Sequence, residues 1–159
     1  QTEDAWRYNP ALSGGGLFHD LSPHQLDLML YFFGRPEKTT GYSVNASRLY
    51  SADDTTTGQV LFANNVLFNG AWCFTVPQKR DSCEIIGTEG SLLFPIFDHR
   101  LLVLKKGETT IEFSFDALPH VQQPMIEQVV NYFLGRAANP CPAEEGATVM
   151  KMMDAMTGH

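Results

Sequence analysis

The chain has 159 residues, 43% of them hydrophobic, and a formal net charge of −7, which are typical of a globular protein with one domain. The acidic balance argues against nucleic acid or an anionic membrane as a partner, since both favour basic surfaces. No apolar run approaches the roughly 20 residues that a membrane helix requires, and no signal-peptide pattern stands at the start. The first residue is Gln1 rather than Met, so an upstream segment would not be visible here.

The first helical segment follows three glycines at positions 14–16 and is predicted to run to about Phe33. Two starts are open. Ser13 can cap a helix that begins in the glycines, or Ser22 can cap one that begins at Pro23. With the earlier start, Pro23 removes one backbone hydrogen bond and should kink the helix.

The middle of the chain carries short β-branched and aromatic segments separated by turn residues, which is typical of a meandering antiparallel sheet. The predicted strands cover residues 40–49, 58–63, 66–76, 82–87, 91–97, 100–105 and 109–115. The order of helix, strands and helices favours an α+β fold with an open, mainly antiparallel β-sheet and helices packed on one face.

Two of these strands have informative patterns. The strand 109–115 alternates apolar and polar residues, so one face should be buried and the other solvated. The strand 66–76 is apolar on one face and partly apolar on the other, which carries Leu67, Ala71 and Cys73 beside Asn69 and Thr75. We expect a second copy of the chain to cover that second face, in a homodimer or higher homo-oligomer.

Two helices are predicted to close the chain. The first follows Pro124 and carries an apolar stripe of Ile126, Val129, Val130, Phe133 and Leu134. The second follows Pro142 and carries a stripe of Val149, Met152, Met153 and Met156. A methionine stripe at helical spacing is typical of core packing rather than of a cofactor site.

The cysteines bear on the compartment of the protein. Cys73, Cys83 and Cys141 form neither a CxxC pair nor a zinc-like array. Their odd number and scattered spacing favour reduced, mostly buried thiols in a reducing compartment, and so predict a cytoplasmic protein. A disulfide between Cys73 and Cys83 on neighbouring strands is the alternative.

The candidate chemistry lies just after the glycines, where Asp20, His24 and Asp27 share one face of the predicted helix. A carboxylate beside an imidazole can orient and tune a general base near neutral pH. The alternative is a hydrogen-bonded pair that only stabilises the start of the helix. Metal binding is disfavoured because His19 stands five residues before His24, about 500° around the helix, so we predict no metal site.

The run GGGxxxDxxxHxxD at positions 14–27 resembles the signature that opens the substrate domain of the Gfo/Idh/MocA oxidoreductases. Further segments resemble landmarks of that family in the same order along the chain. They are the Trp6-Arg7 step, the acidic turn Asp53-Asp54-Thr55, the hairpin at 84–92 and the closing helix pair at 135–156. The resemblance therefore covers nearly the whole chain.

The resemblance implies that residues 1–159 form a single C-terminal substrate-binding and oligomerisation domain. In complete relatives this domain is joined to a Rossmann domain, which this chain lacks and which would be its partner. The resemblance also implies NAD or NADP as the cofactor, bound mainly by that absent domain. The expected reaction is hydride transfer to or from a sugar, polyol or related carbinol, so this fragment alone should be inactive.

The resemblance further implies roles for single residues. His24 matches the general base or acid, and Asp20 matches the catalytic residue that orients it or helps to bind substrate. The residues expected to bind substrate are Trp6, Arg7, His19 and Asp27, and those expected to contact the cofactor are Gly15 and Gly16. Two alternatives remain open, which are an NAD-dependent glycosidase and a non-catalytic binding or regulatory module.

Overall fold

A computed structural model describes residues 6–98 and 101–158. After a short 3-10 turn, Trp6–Tyr8, the helices are α1 (Pro10–Ser13), α2 (Leu17–Phe33), α3 (Gln123–Phe133) and α4 (Ala143–Thr157). The strands are β1 (Pro36–Val44), β2 (Thr55–Phe62), β3 (Leu67–Cys73), β4 (Cys83–Gly87), β5 (Gly90–Phe94), β6 (Leu101–Lys106) and β7 (Thr109–Ser114). The chain divides into two compact units, of which unit 2 is Gln78–Pro140 and unit 1 is the remainder.

The predicted α+β class and antiparallel pairing are confirmed. The seven described strands form two sheets, β1-β2-β3 in unit 1 and β4-β5-β6-β7 in unit 2, where the sequence suggested one. The connection between β3 and β4 contains Pro77, which cannot donate to a strand ladder. The first predicted strand, 40–49, is wrong at both ends, because β1 starts earlier and gives way after Val44 to a hydrogen-bonded loop.

Helix α2 begins at Leu17, directly after the glycines, and keeps Pro23 in its interior. The alternative start at Pro23 is therefore wrong. Ser22 is completely buried within the helix, and its hydroxyl donates to the Phe18 carbonyl at 2.5 Å instead of capping a terminus. Gly34 ends the helix with a positive φ of 77°, as expected for a glycine at this position.

A row of three glycines crosses the sheet of unit 1, and two of them, Gly41 and Gly58, let α4 approach it. Gly41, Gly58 and Gly70 lie opposite one another across β1, β2 and β3. A methyl group on Gly58 would overlap the sulfur of Met156, and one on Gly41 would lie 2.9 Å from its Cα atom. Gly41 and Gly58 therefore provide the close backbone approach for which glycine is suited.

The core of unit 1 lies between this sheet, α2 and α4. Its fully or almost fully buried apolar side chains are Phe18, Leu26, Met29, Val60, Phe62, Val149, Met152, Met153 and Met156. The predicted methionine stripe of α4 is thus confirmed as core packing. The other face of the sheet is open, and there Tyr42 is 80% exposed and Leu67 is 71% exposed.

Unit 2 departs from the sequence prediction. Ile111 and Phe113 of β7 are 44% and 41% exposed, so the prediction of a buried face on this strand is wrong. The strand lies at the edge of its sheet. Helix α3, which belongs to the same unit, has no buried side chain among the described residues.

Two whole-chain expectations are tested within the described residues. None of the three described cysteines forms a disulfide, but Cys73 and Cys141 are exposed, so the expectation that the thiols are mostly buried is wrong. Both follow from position, since Cys73 lies on the open sheet face and Cys141 lies in a proline-flanked loop. Among the helices of residues 6–98 and 101–158, none has the length and apolar content that crossing a membrane requires.

Candidate active site

Helix α2 separates the candidate catalytic residues from the core. Its buried side chains, Phe18, Ser22, Leu26 and Met29, form one stripe. Asp20, His24 and Asp27 lie on the opposite side, where Asp20 is half-buried and the other two are exposed. The helix therefore presents a base and two carboxylates together on one accessible surface.

Asp20 is held by an ion pair that the sequence did not reveal. Arg7 Nε donates to Asp20 Oδ2 at 2.8 Å, and the Arg7 guanidinium lies 4.8 Å from the ring centre of Trp6. Orientation of His24 by Asp20, which the spacing of the motif suggested, stays a prediction. Trp6, Arg7 and Asp20 thus form one contiguous group at the start of α2.

The segment that presents Arg7 is fixed by a short capped helix. Asn9 caps α1, because its side-chain oxygen accepts a hydrogen bond from Ala11 N at 3.0 Å, and Pro10 supplies a preset first helical residue. Gly14 ends α1 in the left-handed region with φ 80°. Arg7 is therefore followed closely by a capped helical turn rather than by an irregular segment.

The glycine turn before α2 is packed by the chain itself. A methyl group on Gly15 would overlap the ring of His19, and one on Gly16 would lie 2.6 Å from the methyl of Ala52. Ser13 Oγ accepts hydrogen bonds from the backbone N–H groups of Gly15 and Gly16, at 3.4 and 2.9 Å. Both N–H groups are already paired with Ser13, so they are not available to bind a pyrophosphate. Contact of Gly15 and Gly16 with the cofactor stays a prediction.

His19 lies against this turn with one side of its ring enclosed. Its Nδ1 atom is buried and has no hydrogen-bond partner among the described residues. Any contact of His19 with substrate would therefore use the other side of the ring, and it stays a prediction. No group of three or more His, Cys, Asp or Glu side chains within residues 6–98 and 101–158 could hold a metal ion.

The loop at residues 45–54, between β1 and β2, packs against the segment that carries Arg7. The buried carboxylate of Asp54 accepts hydrogen bonds from Ala46 N, Ser47 N and Thr55 Oγ1, at 3.0, 2.9 and 2.9 Å. Burial raises the pKa of Asp54, but the hydrogen bonds lower it further, to a net value of about 2. Asp54 is therefore a charged anchor for the loop.

The tip of the same loop packs on Tyr8. The Tyr8 carbonyl accepts hydrogen bonds from Ser51 Oγ and Ala52 N, and the rings of Tyr8 and Tyr50 are 4.7 Å apart. Burial, with the nearby charge of Asp54, raises the pKa of Tyr50 to about 12. Sequence analysis missed both tyrosines, because their contact joins residues more than 40 positions apart.

Gln25, which the sequence prediction of the site also did not include, links α2 to the sheet beside His24. The indole N–H of Trp72 donates to the Gln25 side-chain oxygen, and the Trp72 ring packs edge-on against Phe18 at 5.1 Å. These contacts fix the rotation of α2 about its axis. They thereby direct the His24 side of the helix away from the core.

The chain belongs to the GFO/IDH/MocA C-terminal domain family, whose model matches residues 1–93. It is also similar to Oxidoreductase P35 of Formosa agariphila, with 42% identity over 159 residues, covering 99% of this chain and 48% of the relative. The chain thus spans about half the length of the curated relative that it matches.

Solved structures share this fold. An aldose-aldose oxidoreductase from Caulobacter crescentus, complexed with glycerol, matches 96% of this chain and 48% of its own, with TM-score 0.81 and 17% identity. Biliverdin reductase from Synechocystis sp. PCC 6803, in complex with biliverdin and NADP+, matches 98% and 50%, with TM-score 0.78 and 16% identity. At these identities the similarity shows the fold.

Proposed function

We propose that this chain forms the substrate side of an NAD(P)-dependent oxidoreductase acting on a carbinol of a sugar, polyol or related compound. One observation carries the proposal, which is the exposed His24 one helical turn from Asp20, itself held by Arg7. Membership of the family adds that this helix opens a domain of oxidoreductases.

The proposed chemistry assigns His24 the proton of the substrate hydroxyl. As the carbinol O–H proton passes to a neutral ring nitrogen of His24, the hydrogen on carbon leaves with its electron pair, and the product is a carbonyl compound. A nicotinamide dinucleotide, when bound, supplies the hydride acceptor. Asp20 and Asp27 provide carboxylate acceptors for neighbouring hydroxyls, and Trp6, Arg7 and His19 complete the proposed substrate surface.

The described residues place a limit on how the dinucleotide is held. The N–H groups of Gly15 and Gly16 are paired with Ser13, and no strand precedes this turn in the described chain. The pyrophosphate would therefore be bound by residues outside this chain. The proposed activity is accordingly that of the full-length protein that contains this chain.

The test is turnover by the purified full-length protein with NAD or NADP and a panel of aldoses, polyols and glycosides, followed by nicotinamide absorbance and product analysis. Net dinucleotide reduction coupled to oxidation of a carbinol is the expected result. Glycoside cleavage without net reduction would contradict the proposal and identify a glycosidase. Sugar binding without any turnover would contradict it in favour of a binding module.

We also propose that the open face of the β1-β2-β3 sheet packs against a second copy of the chain. Across the strands, Tyr42, Thr57 and Ala71 form one row, and Lys38, Leu61 and Leu67 form another. The opposite face is occupied by α4, so no other described part of unit 1 is available to cover these groups. A twofold contact between two such faces would bury more than ~1,000 Å² in a stable dimer.

A further inference from the structure

We propose that Asp54 is a positioning residue for Asp20, acting through the loop at residues 45–54 and through Arg7. The proposal rests on the proposed function for the role of Asp20, while its structural links rest on described contacts alone. Asp54 directly precedes β2 and lies far along the chain from the helix that carries the candidate base. Its effect on the site must therefore pass through a chain of contacts that can be followed residue by residue.

The first link ties the two ends of the loop together. The Asp54 carboxylate is completely buried, and it takes two backbone N–H groups from the start of the loop, those of Ala46 and Ser47. Its own backbone N–H donates to the Val44 carbonyl at 3.2 Å, and its carbonyl accepts from Phe74 N at 2.9 Å. A buried carboxylate requires hydrogen-bond donors such as these. Movement of the loop start would therefore expose the charge or leave it without hydrogen-bond partners.

The second link runs from the loop to the segment that carries Arg7. Ser51 Oγ and Ala52 N converge on the Tyr8 carbonyl, at 3.1 and 3.2 Å, and the Tyr50 ring packs on the Tyr8 ring. Ala52 is almost completely buried, and its methyl group occupies the space that a side chain on Gly16 would need. The loop therefore fixes both the residue after Arg7 and the turn into α2.

The third link is the ion pair itself. The Arg7 side chain is 46% exposed, and a pair as exposed as this contributes little stability on its own. A long arginine side chain also loses considerable rotamer freedom when it is held in one geometry. The 2.8 Å contact with Asp20 therefore depends on where the backbone of residues 6–8 is held, and the loop holds it.

A purely structural role for Asp54 is the competing explanation. In that case, loss of the carboxylate lowers the stability of unit 1 but leaves Arg7 paired with Asp20 in the folded molecules. The two explanations differ in the state of the Arg7 guanidinium. That state can be measured without any enzymatic assay.

The experiment compares Asp54→Asn with Asp53→Asn in the full-length protein, by NMR of arginine side-chain Nε–H groups, with the Arg7 signal assigned through Arg7→Lys. Ala46 N and Ser47 N donate to different oxygens of Asp54, and asparagine replaces one of these oxygens with an NH2 group that cannot accept. No hydrogen bond of the Asp53 side chain is described, so Asp53→Asn is the matched control. We expect exchange of the Arg7 Nε–H with water to be roughly 2–10-fold faster in Asp54→Asn, the factor that one hydrogen bond provides, and unchanged in Asp53→Asn. A wild-type exchange rate in folded Asp54→Asn would overturn the proposal.

Because Asp54→Asn can prevent folding, a second variant tests the same link. Ser51→Ala removes one hydrogen bond to the Tyr8 carbonyl from an exposed residue and leaves the buried carboxylate untouched. We expect the same acceleration of Arg7 Nε–H exchange, in the same direction. Unchanged exchange in folded Ser51→Ala would separate the loop from Arg7 and overturn the proposal.

Turnover supplies a readout that general destabilisation would not reproduce. If Asp54 acts through Arg7, adding Asp54→Asn to Arg7→Ala should change kcat by less than about 2-fold, because coupled residues are not additive. Full additivity of the two effects on kcat would contradict the proposal. Inactivity of the wild-type protein would count against the proposed function, whereas the NMR result stands independently of it.

Discussion

The ion pair between Arg7 Nε and Asp20 Oδ2, 2.8 Å apart, joins the segment before the glycine turn to the helix that carries His24. The Trp-Arg step thus supplies an ion-pair partner for the helical motif. The ion pair also means that the charge of Asp20 is balanced before any substrate arrives. His24 and Asp27 are exposed on the same side of this helix.

His24→Ala should lower turnover of the full-length protein by roughly 10²–10⁴-fold, the range expected for loss of a general acid or base. The fold should be unaffected, since His24 is exposed. His120→Ala is the matched control, because His120 is also exposed and lies in unit 2. Steady-state kinetics of both variants provide the check. Wild-type turnover in His24→Ala would show that His24 is not the general acid or base and would favour a structural role for the motif.

Asp20→Asn should cost less than His24→Ala, because Asp20 positions and binds rather than accepting the proton. The loss of this exposed ion pair with Arg7 should reduce kcat/KM by up to about 5-fold, because exposed pairs contribute about 0.2–1 kcal/mol. Arg7→Gln removes the other half of the same pair, so kinetics of the single and double variants form a cycle. A loss in Asp20→Asn as large as that in His24→Ala would assign the proton transfer differently.

Local patterns explain which parts of the fold could be predicted. The helix of α2, the methionine stripe of α4 and the antiparallel strands follow from side-chain periodicity, which the sequence displays directly. Ser22 shows the limit, since a serine before a proline resembles a cap until burial against the core is known.

The supporting contacts of the site could not be predicted in this way. Arg7 and Asp20 are 13 residues apart, and Ser51 reaches Tyr8 across 43 residues, so neither pair has a spacing that indicates a contact. Asp54 was visible in the sequence as part of an acidic turn, but its hydrogen bonds depend on a loop whose path the sequence does not specify. Distance along the chain, rather than residue type, is what hid them.

Two glycines of unit 1, Gly58 in the sheet and Gly146 in α4, predict opposite effects of the same substitution. Gly58→Ala should lower the free energy of unfolding by about 1–3 kcal/mol, because the new methyl group would overlap Met156. Gly146→Ala should raise it by about 0.4–1 kcal/mol, since this glycine lies within α4 with open space around it. Denaturant unfolding of both variants is the measurement, and destabilisation by Gly146→Ala would show that α4 packs differently.

Asp54 should make stability depend on pH in the acid range. Its pKa is about 2 in the folded chain against an ordinary value of 3.8, so the folded state binds fewer protons there. The stabilising contribution is therefore complete above pH 3.8 and is lost as the pH falls towards 2. The free energy of unfolding should therefore change less with pH across this range in Asp54→Asn than in the wild type. An equal pH dependence in both proteins would show that the carboxylate is not charged and hydrogen-bonded as described.

The open sheet face predicts the assembly of the protein. Leu67→Glu or Ala71→Lys should dissociate or precipitate the oligomer that we propose, because each places a charge among the apolar groups of that face. Glu112→Lys, on the exposed strand β7 of unit 2, is the matched control and should leave the mass unchanged. Light scattering at several protein concentrations measures the outcome. A wild-type protein that stays monomeric at high concentration would mean that a segment outside the described residues, rather than a second copy, covers Leu67 and its neighbours.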